Sequence, residues 1–283
     1  MFRIVSEENM DVRCGDCLEV LKEVPDESVN LIVTSPPYAD RRKNTYGGIE
    51  PDKYVAWFLP IAAELLRVLK PDGSFVLNIK ENVVDGQRLT YVLNLVLELQ
   101  RQGWRWTEEY LWVKPNPFPG KWSTRFRDAW EHLYHFTKSA EFQMHQERVM
   151  VPKGDWAKKQ GTLSEKFHHR TESATGSGFG RNHAAWLDRD YVLPDNVLRL
   201  AVESRNRGHS AAYPVALPEW FIKLFSNQGD LVLDPFAGSG TTGVACKMHG
   251  RKFMGIDIHQ QNCDITIARW KDTVPLTGKR SAA

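Results

Sequence analysis

Leu231-Val232-Leu233-Asp234-Pro235-Phe236-Ala237-Gly238-Ser239-Gly240-Thr241-Thr242 is the stretch on which the reading of the fold turns. Its three leading apolar residues read as a buried strand, its glycines as a tight turn, and Thr242 to His249 as a helix opening straight out of that turn. A further strand, Phe253 to Ile258, carries Asp257 near its end, 17 positions after Gly240. Strand, glycine turn, helix and strand build a parallel sheet, which binds ligands in the crevice beyond the carboxyl ends of its strands. Glycines there let the backbone approach a ligand closely, and a carboxylate on the next strand accepts hydrogen bonds from ribose hydroxyls.

Three cofactor classes compete for such a turn. A nucleoside-triphosphate loop needs a lysine after its second glycine, and none lies between Gly238 and Gly243. Gly238, Gly240 and Gly243 match the dinucleotide spacing formally, but Asp234 would repel a pyrophosphate while suiting a cationic amino acid. S-adenosyl-L-methionine, with its ammonium group and positive sulfonium, fits better.

The amino-terminal third repeats the alternation. Asp11 to Arg13 reads as a strand, Leu18 to Lys22 as a helical turn, and Val29 to Val33 as a buried strand. Tyr54 to Leu69 places Val55, Phe58, Leu59, Ala62, Leu65, Leu66 and Leu69 on one helical stripe, and Ser74 to Ile79 follows as a strand. A second helix over Leu89 to Gln102 stops at Gly103, with strands expected at Trp106 to Val113 and His132 to Thr137 and a helix at Pro214 to Phe225. This order implies a parallel sheet covered on both faces. Between about Phe142 and Gly208 the periodicity fades into polar, glycine-rich sequence.

Directly after the strand Val29 to Val33 comes Thr34-Ser35-Pro36-Pro37-Tyr38. Two prolines cannot continue a ladder, so the backbone leaves the sheet there with a small hydroxyl in front and an aromatic ring behind. Such a turn is built to hold something flat and polar, although the same residues also end strands in proteins of every function.

Composition narrows the partners. With 283 residues, 42% hydrophobic and 25% charged, the chain is globular rather than disordered or fibrous. No apolar run nears a membrane span and no signal-peptide pattern is seen, so a cytoplasmic location and no membrane partner are expected. Cys14 and Cys17 form a lone pair without a second one, and no metal site is expected. From Lys114 to Ser210 there are 16 Lys and Arg against 11 Asp and Glu, a local +5 on a chain of net +2, which suggests an anionic partner.

Together these motifs resemble the amino-methylating DNA methyltransferases of the beta arrangement, in which a Ser/Asp/Asn-Pro-Pro-Tyr motif precedes the Asp-Pro-Phe-x-Gly-x-Gly motif. The resemblance also takes in Cys14 to Cys17, Trp130-Glu131-His132 and His209 to Pro214, and so spans nearly the whole chain. It implies a Rossmann-like α/β methyltransferase fold, a mostly parallel seven-stranded sheet with helices on both faces. Residues 1–141 would be the catalytic half, 142–208 an inserted target-recognition region, and 209–283 the cofactor-binding half. Carried over by position, Ser35, Pro36, Pro37 and Tyr38 would be catalytic. Thr34, Asp234, Pro235, Phe236, Gly238 and Gly240 would shape the cofactor pocket, Thr241 or Thr242 would meet the methionine carboxylate, Asp257 the ribose and Asp16 the adenine. The alternative for Asp16 is a cap on the helix that follows it, and for Phe236 a place in the plain core.

The implied reaction transfers a methyl group from S-adenosyl-L-methionine to an exocyclic amino group of a base flipped from double-stranded DNA. Ser35 and the Pro36 carbonyl would hold that amino group while Tyr38 stacks on the base. Ser at position 35 favours cytosine N4 over adenine N6, and no cysteine follows a proline, which disfavours ring-carbon methylation. A non-catalytic DNA-binding protein on the same fold is the alternative of another class, opposed by the intact motifs. Arg41, Arg42, Lys43, Lys121, Arg125, Arg127, Arg181, Arg205 and Arg207 are the expected DNA contacts. The resemblance further admits a homodimer and a cognate restriction endonuclease.

Overall fold

A computed structural model describes residues 3–39, 48–117, 120, 123–153, 190–202 and 213–276. The chain divides into two compact units, one of Met1–His145 with Asn196–Ala283 and one of Gln146–Asp195. In the smaller, the described residues form a 3-10 turn at Gln146–Val149 and a two-residue antiparallel pairing of Val151–Pro152 with Tyr191–Val192.

The larger unit is built on one sheet. Its strands are β1 (Arg3–Glu7), β2 (Met10–Cys14), β3 (Val29–Thr34), β4 (Leu69–Ile79), β5 (Arg105–Val113), β6 (Trp130–Thr137), β7 (Val197–Arg199), β8 (Leu231–Asp234) and β9 (Lys252–Asp257). The helices are α1 (Cys17–Leu21), α2 (Tyr54–Val68), α3 (Tyr91–Gln102), α4 (Ala216–Phe225), α5 (Thr241–Met248) and α6 (Gln260–Asp272). Strand order is β1-β2-β9-β8-β3-β4-β6-β5-β7. The run from β2 to β4 is parallel throughout. The sheet thus holds nine strands among the described residues against the seven expected, since short edge strands β1 and β7 extend it at either end.

Parallel order does not persist across the whole sheet. β6 runs antiparallel to both β4 and β5, although plain alternation of strand and helix implied parallel pairing. The physical reason is the link from β5 to β6, residues 114–129, which contains no crossover helix among its described residues.

Burial follows the sequence at β3, where all six residues Val29 to Thr34 are buried, as a strand covered on both faces requires. Polar Asn30 is tolerated because its Oδ1 accepts the Leu231 amide at 3.1 Å, tying β3 to the start of β8. α2 corrects the expected stripe. Its buried residues are Tyr54, Phe58, Ile61, Ala62, Leu65 and Val68, while Val55, Leu59 and Leu66 lie half-buried at the margin. The rotation buries Tyr54, whose hydroxyl donates to the Pro37 carbonyl at 2.9 Å. α3 ends at Gly103 with φ of 111°, a left-handed cap that a side chain would strain. β1 and α6 were not anticipated. α6 buries Asn262, Cys263, Thr266 and Trp270, a face too polar to register as a helical stripe.

The core fills the space between α1, α2, α3 and the sheet, with Phe58, Tyr54, Phe75, Leu77 and Phe136 among its members. From β3 the chain proceeds outward to β4, and from β8 outward to β9 on the other side. The crevice between β3 and β8 is therefore the point where strand order reverses, the place such sheets reserve for ligands.

Candidate active site

The parallel run brings four loops to one edge in the order of its strands: Gly15-Asp16 after β2, Ile258 after β9, Pro235 to Gly240 after β8, and Ser35 to Ala39 after β3. Adjacent strands lie about 4.8 Å apart, so these loops are neighbours although up to 243 positions separate them in sequence. The Gly15 amide donates to the Asp257 carbonyl at 2.9 Å, closing β2 onto β9 at this edge.

Asp234, at the end of β8, is 1% exposed, and burial pushes its carboxyl above the usual range. Four donors answer that cost. Oδ1 accepts Thr34 Oγ1 at 2.7 Å and the Phe236 amide at 3.2 Å; Oδ2 accepts Thr242 Oγ1 at 2.6 Å and the Tyr213 hydroxyl at 3.0 Å. A carboxylate offers about four acceptor positions, so Asp234 is saturated. It ties β3, the β8 turn, α5 and the segment before α4 together, and its four acceptor positions are spent within the protein. Thr34 and Thr242 are turned inward with it, and both are fully buried.

Asp257 differs. It is 8% exposed and takes three donors: the His259 amide at 2.8 Å, Asn262 Nδ2 at 3.0 Å and the Gly238 amide at 2.9 Å. Burial raises its carboxyl, and these three hydrogen bonds counter the rise. One acceptor position remains by the same count.

The two motif glycines divide in the same way. Gly240 has φ of 75°, and a Cβ there would lie 2.6 Å from Thr266 Cγ2, so its bareness serves packing against α6. Gly238 has φ of 52°, and the nearest atom to a Cβ would be the Phe236 carbonyl oxygen at 4.0 Å. Its open side is a cradle that a side chain would fill. Arg269 of α6 buttresses the turn, donating to the Ser239 carbonyl at 2.7 Å and to Thr241 Oγ1 at 3.1 Å. Thr242 spends its proton on Asp234, whereas Thr241 only accepts from Arg269 and keeps its own proton for an anion at the start of α5, beside the backbone amides there. Pro235 is buried, and half-buried Phe236 packs on Trp57 and Phe58 with ring centres 5.8 and 6.5 Å away. Asp16 caps α1, its Oδ1 accepting the Leu18 and Glu19 amides at 2.9 and 3.3 Å, and remains exposed.

On the other side of the crevice, Ser35 is half-exposed, Pro36 buried, and Tyr38 half-buried against the core. The loop is pinned by Tyr54 on the Pro37 carbonyl and by Asn82 on the Ala39 carbonyl. Ser35 Oγ donates to the Tyr38 hydroxyl at 3.3 Å, which donates to Glu131 Oε2 at 2.6 Å. Asn78 Nδ2 adds a hydrogen bond to the same oxygen at 3.1 Å, and Lys114 pairs with Glu131 Oε1.

Sequence reasoning had not assigned Tyr213, Asn78, Lys114 or Glu131 to the site. Glu131 and Tyr213 stand inside stretches the resemblance takes in, Trp130-Glu131-His132 and His209 to Pro214, without a role assigned to either, whereas Asn78 left no signal. Of the expected DNA contacts, Arg125 is half-buried and paired with Asp128 at 2.9 Å, and Arg127 is exposed. Arg41, Arg42, Lys43, Lys121, Arg181, Arg205 and Arg207 lie outside the described residues.

Fold and site together define the class of the S-adenosylmethionine-dependent methyltransferases: a strand-order reversal, an open glycine, a carboxylate at the end of the next strand and a separate polar loop across the crevice. The chain belongs to the N6/N4 DNA methylase family, whose model matches residues 29–268. It is 30% identical to the Type II methyltransferase M.PvuII of Proteus hauseri over 285 residues, 93% of this chain and 84% of that one. It is similar in structure to the PvuII DNA methyltransferase (cytosine-N4-specific), with a TM-score of 0.71 at 26% identity over 93% of this chain and 86% of the other. The M1.HpyAVI–SAM complex shares the fold, at a TM-score of 0.57 and 21% identity over 92% and 98% of the two chains.

Proposed function

We propose that the chain methylates the exocyclic N4 of a cytosine flipped out of double-stranded DNA. The observation that carries this reading is Ser35, half-exposed on the loop after β3 and one strand from the β8 turn, with its own proton directed to Tyr38. A hydroxyl so oriented offers lone pairs to an amino group. The similarity to the cytosine-N4-specific PvuII DNA methyltransferase supports the choice of base.

S-adenosyl-L-methionine, when bound, supplies a methyl on a sulfonium that departs as a neutral thioether. The residues fit it: Asp257 keeps one acceptor position for a ribose hydroxyl, Gly238 leaves open space, the α5 amides suit a carboxylate, and exposed Asp16 can reach the adenine end. Catalysis then falls to the Ser35 loop. Ser35 Oγ and the Pro36 carbonyl draw on the amino hydrogens and favour a tetrahedral nitrogen, freeing a lone pair otherwise delocalised into the ring. Burial holds the thiols of Cys17 and Cys263 at about 12, so neither is a nucleophile for ring-carbon attack.

Residues 142–208 act in this reading as the target-recognition region, and exposed Arg127 contacts phosphate. The Type II names of the relatives accord with a cognate restriction endonuclease, and a homodimer rests on the resemblance of the motifs. The test is nucleoside analysis of plasmid DNA methylated by the purified chain. N4-methylcytosine is expected; N6-methyladenine alone overturns the base assignment.

A further inference from the structure

We infer that Glu131 is the terminal proton acceptor of the methyl-transfer site, reached from Ser35 through the Tyr38 hydroxyl. The inference rests on the amino-methylation reading above and adds to it a residue and a route.

Two directed hydrogen bonds carry it: Ser35 Oγ to Tyr38 Oη at 3.3 Å, then Tyr38 Oη to Glu131 Oε2 at 2.6 Å. Each hydroxyl has one proton: that of Ser35 is directed to Tyr38, and Tyr38 Oη has two acceptors, Asn78 Oδ1 at 3.3 Å and Glu131 Oε2 at 2.6 Å, of which the carboxylate is the nearer and the stronger. An amino group arriving at Ser35 therefore meets an acceptor whose proton already has somewhere to go.

Glu131 is built to receive it. Its side chain is 13% exposed at the start of β6, and Asn78 Nδ2, itself fixed by the His132 carbonyl at 3.0 Å, donates to Oε2. The charges facing the carboxylate are Lys114 from the end of β5 and Lys80 from the end of β4, whose ammonium lies 3.5 Å from the Trp130 ring centre. Burial and the neighbouring Glu131 hold the Tyr38 phenol well above its ordinary range, so it passes a proton on only as it receives one.

The step balances. The exocyclic nitrogen forms its bond to the methyl carbon while the old bonding pair stays on the departing sulfur, leaving the nitrogen with one proton in excess and a positive charge. That proton passes to Ser35 Oγ as the Ser35 proton moves to Tyr38 Oη and the Tyr38 proton to Glu131 Oε2. Nitrogen ends neutral and Glu131 ends as the acid, which returns the proton to solvent. An alkylated exocyclic nitrogen whose lone pair belongs to the ring is a weaker base than a carboxylate, so the overall transfer from nitrogen to carboxylate runs downhill.

The experiment measures single-turnover methylation of duplex DNA by the full chain and its Glu131→Gln, Tyr38→Phe and doubly substituted variants across pH. Gln still accepts the Tyr38 hydrogen bond but takes no proton. Each single variant is expected to lose about 100-fold in rate, with KM for DNA and for S-adenosyl-L-methionine within about threefold of wild type. A relay ending on a carboxylate is expected to make the wild-type rate decline toward acid pH, and both variants are expected to lack that decline. The double variant is at most about threefold slower than the slower single one, because both cut one route. Wild-type rate in Glu131→Gln, or a retained acid decline with a raised KM and multiplying losses, overturns the relay. If Glu131→Gln does not fold, Tyr38→Phe decides by the same rate and pH criteria. N6-methyladenine as the wild-type product would overturn the base assignment and leave the relay standing, since either amino group must shed the same proton.

Discussion

Two carboxylates flank the crevice, and they are wired in opposite ways. Asp234 is closed: 1% exposed, with every acceptor position taken by a group whose own position it fixes. Glu131 is the far end of a line that begins at half-exposed Ser35 and passes through one phenol. Only the first belongs to the sequence motif expected to touch the cofactor. Motif membership thus marks a position the fold needs, and the hydrogen-bond pattern tells whether the need is architectural or chemical.

The sharpest way to break this contrast is Asp234→Ala. Removing the carboxylate strands the hydroxyls of Thr34, Tyr213 and Thr242 in a buried site, and a loss of roughly 3–5 kcal/mol of unfolding free energy is expected. Asp234→Asn, whose oxygen still accepts two of the donors, is expected to lose about half as much. Denaturant unfolding measures both, and a change below about 1 kcal/mol for the alanine variant would show the carboxylate to be dispensable to the fold.

Ser35→Ala is the matching test of the open side. Ser35 is half-exposed and makes one 3.3 Å contact, so stability should stay within about 0.5 kcal/mol of wild type. Methyl transfer should nevertheless slow about 100-fold, some 2–3 kcal/mol of barrier, with binding of S-adenosyl-L-methionine unchanged. Equal losses of stability and rate would erase the distinction between the two sides.

The glycines sharpen the comparison within the cofactor turn. Gly240→Ala combines a left-handed φ with overlap on Thr266, and about 1–3 kcal/mol of stability should be lost. Gly238→Ala carries only the backbone cost of about 1 kcal/mol, yet its methyl enters the open side, so calorimetric affinity for S-adenosyl-L-methionine should fall at least about fivefold. If the affinity loss sits at Gly240 instead, the cradle has been assigned to the wrong glycine.

What the sequence disclosed and what it withheld follow one physical division. Periodicity and turn chemistry report where the chain enters and leaves an element, so β3, the β8 turn, α5 and the Ser35 loop were legible from apolar runs ended by glycine or proline. Direction and facing are tertiary. Nothing in the alternation of β5 and β6 says that they pair antiparallel, and nothing in Asp-Pro-Phe says that the carboxylate turns inward to Thr34 and Tyr213, 200 and 21 positions away. α2 shows the same limit in small: its apolar residues outnumber the width of one face, and the ring of Tyr54 decided which were buried.

Acidity gives an effect small at each pH unit and the finest separation of architecture from chemistry, because His135 and Glu131 on β6 are expected to govern different readouts. His135, four residues beyond Glu131, is 1% exposed, stacked on Phe225 at 4.4 Å and hydrogen-bonded to Ser74 Oγ at 3.0 Å. Burial lowers it from 6.5 to about 3. The unfolded chain therefore binds a proton between those values that the folded chain refuses. His135 costs nothing above pH 6.5, and stability falls by about 1 kcal/mol for each pH unit below it until about pH 3. His135→Gln should flatten that slope in denaturant unfolding while leaving the acid decline of single-turnover methylation in place. Glu131→Gln should do the reverse, flattening the rate profile and keeping the stability slope. If His135→Gln removed the acid decline in rate, that decline would report a melting sheet rather than a proton acceptor.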